Sequence, residues 1–220
     1  MKLVIGGATG FVGREVLRQA LHSNEITSIV TLGRRPVPVK DDKLTDIVME
    51  DGEQYSETIA ITPTKSKTTP FDIVTKVTRD YTLAGIDALS KVNKTSKPLR
   101  FIYFSGVAVS RDMDRDFEAL KHAIKPEVLK LRCMLEIELV DYAAKSNGKV
   151  EVCCVRPGYI LGDRETLEYK TPELPPYVPV VKREDLVAAV LKLGLDGIEG
   201  DPLSNEDLVR IGEEALPRFN

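Results

Sequence analysis

The sequence predicts an α/β fold built on a parallel sheet, and three observations lead there. Short apolar, β-branched runs alternate with segments of helical periodicity along most of the chain. A glycine-rich turn, Gly6-Gly7-Ala8-Thr9-Gly10-Phe11-Val12-Gly13, joins the first run to the first helical segment. Right-handed crossovers between parallel strands then favour a doubly wound, Rossmann-type sheet with helices on both faces. With 220 residues the chain is expected to form a single domain, 1–220, large enough to bury a core without disulfide or metal staples.

Leu3–Gly6 is a short apolar strand that stops at glycine. Phe11–His22 follows as a helix, with Phe11, Val12, Val16, Leu17 and Leu21 near helical spacing. Ile26–Leu32 is strand-like, Asp46–Glu50 a weaker strand, and Thr58–Thr62 another. Phe71–Val92 has the apolar period of a long helix, and Leu99–Ser105 is aromatic and β-branched enough for a central strand. Pro126 opens a helix, because proline fits the first helical position, and Gly148 ends it. Val150–Val155 is the next strand, and Glu184–Leu195 a helix. The last helix begins at Ser204, with Asp207 three positions on as in a capping box. Residues 164–182 break the alternation: Pro172, Pro175, Pro176 and Pro179 exclude helix and central strand. That stretch is placed to cover a substrate, or to serve as a stiff surface connection, and residues 183–220 carry the C-terminal helices.

Charge and composition narrow the partners. The formal net charge is −3, so no global positive field attracts nucleic acid or an anionic membrane, and neither is expected as a partner. No apolar run approaches the ~20 residues of a bilayer span. Cys133, Cys153 and Cys154 and the two histidines, His22 and His122, lack ligand spacing, so no metal site is expected. Free thiols suit a reducing compartment, and the chain opens directly on a strand pattern, so the protein is expected to be cytoplasmic. The sequence leaves the oligomeric state open.

The glycine turn carries the clearest chemistry. Gly7, Gly10 and Gly13 permit a tight turn and close backbone approach to a pyrophosphate, which the amides and positive end of the following helix stabilise. Such a triplet is informative because it lies between a strand and a helix. At the end of the second strand, where an acid would bind the ribose 2′-hydroxyl of NAD, the chain has Thr31, then Gly33-Arg34-Arg35. Two guanidinium groups suit a 2′-phosphate, so NADP is expected over NAD, with Arg34 the closer of the two. Asp51 is placed either to meet the adenine edge or to be a surface carboxylate.

The segments GGATGFVG (6–13), TLGRRP (31–36), RDYTLAG (79–85), FIYFSG (101–106) and VRPGYILGDRE (155–165) together resemble one family. They are similar to the atypical short-chain dehydrogenase/reductases, particularly the NmrA-like and Tat-interacting-protein-like oxidoreductases, and to fungal proteins described as nucleoside-diphosphate-sugar epimerase-like. The resemblance covers about residues 1–165 well and the remainder loosely. It implies a single Rossmann domain, NADP as cofactor and, often, reduction of a carbonyl or alkene in a small molecule. By position it implies that Gly7, Thr9, Gly10, Phe11, Val12 and Gly13 hold the pyrophosphate and that Arg34 and Arg35 hold the 2′-phosphate. Thr62 would lie near the ribose, Ser105 would be the active-site serine, and Pro157 and Gly158 would border the nicotinamide.

The chain departs from that family at the catalytic pair. The family has a tyrosine followed four residues later by a cation on the helix after the serine strand. One turn puts them on one face, where the cation lowers the phenol pKa for proton transfer. Here the matching positions are Val128 and Arg132, and none of the seven tyrosines has Lys or Arg four residues later. Tyr103 alternates to the same sheet face as Ser105, and Tyr159, after the Arg156-Pro157-Gly158 turn, is the better-placed substitute. Either reads first as a packing residue.

A second departure is the link between the third and fourth predicted strands. Only seven residues, Asp51–Glu57, separate them, reaching ~26 Å against the ~22 Å a crossing of three strands demands. That leaves no room for an ordinary crossover helix, so the third strand is expected to be displaced or lost.

Three functions fit these residues. The first is an NADP-dependent oxidoreductase acting on a small apolar carbonyl or enone. Ser105 would bind the substrate oxygen, Arg132 would supply charge, and Tyr159, water or the substrate would move the proton. The second is a non-redox cyclase or isomerase drawing on Asp163, Glu165, Lys130 or His122. The third is a catalytically impaired, NADP-binding regulator.

Overall fold

The computed structural model describes residues 1–48, 69–118, 124–162 and 178–220. Its first unit is β1 (Lys2–Gly6), α1 (Phe11–His22), β2 (Ser28–Gly33) and β3 (Leu44–Val48), with the strands parallel in the order β1-β2-β3. Gly6 lies opposite Leu32, and Thr31 opposite Asp46, so β1 and β2 end at the same level beside the glycine turn. The third strand is therefore retained, beginning two residues before the expected Asp46. The short link after it and the strand expected at Thr58–Thr62 lie outside the described residues.

The span expected to be one long helix is broken in its middle. α2 (Phe71–Thr75) passes into a π-helical turn, Lys76–Asp80, and then into α3 (Tyr81–Val92). Periodicity cannot reveal such a turn, because adding one residue to a turn leaves apolar residues on the buried side. Arg79, on that turn, is tied to Glu138 at 2.6 Å. β4 (Leu99–Phe104) leads to α4 (Pro126–Lys145), with proline at its start, and to β5 (Val150–Val155), which pairs parallel with β4. Two short strands that the alternation did not predict follow: β6 (Tyr159–Leu161) and β7 (Val180–Lys182), parallel to each other. α5 (Arg183–Asp196) and α6 (Asn205–Ala215) finish the chain, with Ser204 and Asp207 forming the expected capping box.

Alternation along the strands produces three layers. Ile5 and Ile29 point to one side and pack on Val16, Leu17 and Ala20 of α1 and on Val187, Ala188 and Leu191 of α5. On that same side Cys153 and Val155 of β5 meet Leu186, Ala189 and Leu193 of α5 and Leu208 and Ile211 of α6. α5 thus joins both sets of strands, which is why it is buried almost all round. The opposite face of β4 and β5 carries Phe101, Tyr103, Val152 and Cys154 against Ile86 of α3 and Leu135 and Leu139 of α4. Residues 103 and 105 therefore look toward α4, and residues 102 and 104 toward α5 and α6.

Candidate functional site

The glycine turn is shaped by backbone rather than side chains. Gly7 has φ +72°, in the left-handed region that favours glycine, and its N–H donates to the Leu32 carbonyl at 3.2 Å. Gly10 N–H donates back to the Gly7 carbonyl at 2.9 Å, closing the turn directly before α1. A Cβ at Gly13 would lie 2.2 Å from the Gly7 oxygen, so any side chain there would push the helix off the loop. Gly10 caps α1 without a side-chain hydrogen bond, and the first turn of the helix carries no acid. The chain has withheld both side-chain bulk and negative charge from the place where amides and helix dipole favour a phosphate. These residues fit the diphosphate of a dinucleotide. Phe11 does not face that cradle alone: the Arg183 guanidinium lies over its ring at 4.8 Å.

Beside the turn a shallow depression is lined by Ala8, Thr9, Thr31, Leu32, Gly33, Arg35, Val37 and Asp46. Of the two arginines Arg35, not the expected Arg34, forms part of its wall; both side chains are exposed. Asp46 organises this corner. Its carboxylate accepts the Thr31 hydroxyl at 2.6 Å and the Val37 N–H at 2.9 Å, pinning the turn that carries both arginines to the edge strand. Sequence analysis missed Asp46, because nothing in a strand pattern announces a cross-strand partner.

At the other end of the site, Ser105 directly follows β4, and its N–H donates to the Val155 carbonyl at 2.9 Å. Arg132 and Val128 lie one turn apart on α4, as their spacing requires. Val128 is buried in an apolar cluster with Val74 and Leu131, so this position supplies packing and no proton. Arg132 comes beside the serine segment: a Cβ on Gly106 would lie 3.9 Å from its Nη1. Pro157 and Gly158 follow β5. The Pro157 carbonyl accepts Val107 N–H at 3.0 Å, and Gly158 N–H donates to Asn205 Oδ1 at 2.9 Å. Asn205, buried at the start of α6, also donates to the Val180 carbonyl at 2.9 Å. A Cβ at Gly158 would fall 2.0 Å from the Pro179 oxygen, so only glycine fits where the two segments touch. Tyr159 begins β6, half-buried, its N–H donating to that same Pro179 oxygen at 2.8 Å. Ile160 packs toward α5, which leaves Tyr159 on the other side of the strand.

Beneath this end runs a charged network that the sequence does not announce. Glu136, fully buried one turn after Arg132, accepts from Arg111 Nε and Arg156 Nε, each at 3.1 Å. Arg111 also bridges Asp201 at 2.8 Å, and Asp201 accepts Cys154 N–H at 2.7 Å. Four chain segments are held together this way: the Arg111 loop, α4, the end of β5 and the Asp201 loop.

Thr62, Asp51, His122, Asp163 and Glu165, and the proline-rich stretch as far as residue 177, lie outside the described residues. Lys130 is exposed on α4. Among the described residues no group of three or more His, Cys, Asp or Glu side chains could hold a metal ion, and no helix is long and apolar enough to cross a membrane.

No protein-family model matches the chain, and no curated protein matches it by sequence. Solved structures do match its fold. A short-chain dehydrogenase/reductase of Saccharomyces cerevisiae has TM-score 0.66 at 13% identity, over 96% of this chain and 98% of that one. UDP-glucose 4-epimerase of Thermotoga maritima, solved with UDP-glucose, has TM-score 0.64 at 14% identity, over 100% and 84%. The dTDP-glucose 4,6-dehydratase DesIV of Streptomyces venezuelae, solved with NAD bound, has TM-score 0.64 at 14% identity, over 99% and 81%. At these identities the likeness establishes the architecture alone: a Rossmann-type α/β fold, with parallel strands and helices packed on the sheet.

Proposed function

We propose that the protein is an NADP-dependent oxidoreductase of the atypical, NmrA-like short-chain dehydrogenase/reductase type, reducing a carbonyl or enone in a small apolar molecule. One observation carries the reading: the contact of Gly13 with the Gly7 oxygen builds a bare phosphate cradle immediately beside a depression walled by Arg35. Gly7, Thr9, Gly10, Phe11, Val12 and Gly13 would hold the pyrophosphate. Arg35, with Arg34 beside it, would hold the 2′-phosphate by charge-assisted hydrogen bonds. Pro157 and Gly158, fixed by Asn205 and Pro179, would border the nicotinamide. A bound nicotinamide would supply the hydride. The chain's own part is to bind the substrate oxygen through Ser105 and to place the Arg132 charge beside it. We place the protein in the cytoplasm, with a small molecule as its partner.

Titration with NADPH, NADH and NADP+, followed by fluorescence or calorimetry, tests this reading. NADPH is expected to bind more tightly than NADH; failure of all three to bind would overturn it. The valine at position 128 favours a second reading, a catalytically impaired NADP-binding regulator. NADPH bound tightly, yet never oxidised by a panel of quinones, enones and aldehydes, would select it. Isomerisation or cyclisation without nicotinamide turnover would select a non-redox enzyme on the same scaffold.

A further inference from the structure

The depression beside the glycine turn has both signs of charge in its wall, since Arg35 and Asp46 line it together. The carboxylate oxygens are engaged by neutral donors: Oδ1 by the Thr31 hydroxyl at 2.6 Å and Oδ2 by the Val37 N–H at 2.9 Å. The Arg34 and Arg35 side chains stay exposed. Thr31 and Val37 stand on either side of Gly33-Arg34-Arg35-Pro36. Thr31 is buried within β2, directly opposite Asp46 in the register, so that end of the turn is fixed by the sheet. Val37 is not part of a strand, and it lies between Pro36 and Pro38, so it has the only N–H among residues 36–38. One carboxylate therefore closes the arginine turn from both ends, and it does so through the single backbone donor that the returning segment offers.

We propose that Asp46 is a positioning residue for cofactor choice: by holding Val37 it fixes Arg35 in the wall of the depression, and it thereby favours a dinucleotide with a 2′-phosphate over one without. The inference rests on the NADP reading of this site. An acid in a phosphate site is unexpected on charge alone, because it repels the ligand, and its removal would then tighten NADPH. Asp46 is exposed, however, so water and salt screen that repulsion. Losing the place of Arg35 forfeits a charge-assisted hydrogen bond to the phosphate, and a turn ordered in advance does not have to be ordered when the ligand arrives. The two effects have opposite signs, and positioning is the larger.

The test compares Asp46→Ala with Asp46→Asn, titrating NADPH and NADH calorimetrically into each. Asparagine keeps the geometry without the charge: its carbonyl can accept the Val37 N–H, and its amide can donate to the Thr31 hydroxyl, which both donates and accepts. Asp46→Ala should weaken NADPH by about tenfold and leave NADH nearly unchanged, whereas Asp46→Asn should keep the wild-type preference. Thr31→Val, which deletes only the hydroxyl, should move the preference in the same direction by less. An unchanged or increased preference for NADPH in Asp46→Ala would overturn the proposal, as would a loss in Asp46→Asn equal to that in Asp46→Ala. Trypsin supplies a readout without cofactor. It does not cut before Pro36, so the Arg34–Arg35 bond reports on this turn, and mass spectrometry should find it cut at least about fivefold faster in Asp46→Ala than in the wild type or Asp46→Asn. Equal rates in Asp46→Ala and the wild type would show that the carboxylate does not hold the turn. Wild-type protein that binds no NADPH would remove the oxidoreductase reading and the selectivity role together; wild-type preference for NADPH that survives in Asp46→Ala removes this inference alone.

Discussion

The two ends of the site are built by opposite means. Around Gly7–Gly13 the chain removes side chains, so that backbone amides and a helix terminus line the turn. Around Ser105 it inserts them: a serine, an arginine beside Gly106, and the ion-paired Arg111, Arg156 and Asp201 gathered about the buried Glu136. The first end tolerates no added atom, and the second no lost partner. A cradle for a common diphosphate needs only shape and amides, whereas a site that discriminates one oxygen needs specific polar groups whose burial must be supported from below.

The largest test of that contrast is Glu136→Ala. Removing the carboxylate that the two arginines share deprives Arg156 of its acidic partner, while Arg111 keeps Asp201, and the unfolding free energy is expected to fall by about 3 kcal/mol in urea titrations. A change under ~1 kcal/mol, as for exposed pairs, would mean that this end is not organised by its charges. At the glycine end the sensitive change is an addition. Gly13→Ala places a methyl 2.2 Å from the Gly7 oxygen and should cost about 1–3 kcal/mol of stability, together with most of the NADPH affinity. Unimpaired NADPH binding in that variant would show that the cradle is not where the diphosphate sits.

Affinity separates the two ends further. Arg34→Ala combined with Arg35→Ala should weaken NADPH by about 1–3 kcal/mol and leave NADH little changed. Arg35 is expected to account for the larger share, since it lines the depression. The smallest effect is one of pH, on α1. Burial pushes the Glu15 carboxyl up, but hydrogen bonds from Arg18 and Gln19 and the charge of Arg183 pull it further down, leaving it below its ordinary 4.5. Its folded value being the lower one, its contribution to stability is complete above the unfolded value and is lost as the pH falls through the folded one. Glu15→Gln should therefore lower stability at pH 8, where that contribution is complete, and flatten the acid limb below about pH 4.5, so that the two proteins converge at low pH.

What could be read ahead of the structure follows the same division. The glycine turn, the Pro126 start and the Ser204–Asp207 box were legible because each acts over a few residues. Local geometry alone decides whether glycine can turn, proline can open a helix or a serine can cap one. Tyr103 was half legible: parity put it on the face of Ser105, but parity cannot say that its hydroxyl has no partner among the described residues. Tyr159 was preferred on its nearness to the Arg156-Pro157-Gly158 turn, and the structure sets it in a short strand whose pairing with β7 no pattern had suggested.

The sequence by itself determined the alternation of strand and helix, the order of the elements and the bare turn between β1 and α1, because these depend on residue type and spacing within one turn or one strand. Tertiary structure alone decided that Asp46 pins the arginine turn, that Glu136 gathers Arg111 and Arg156, and that Arg132 comes beside Gly106. Each of these joins segments far apart in the chain, and such meetings are fixed only when the sheet register and the helix packing choose which side chains share a space.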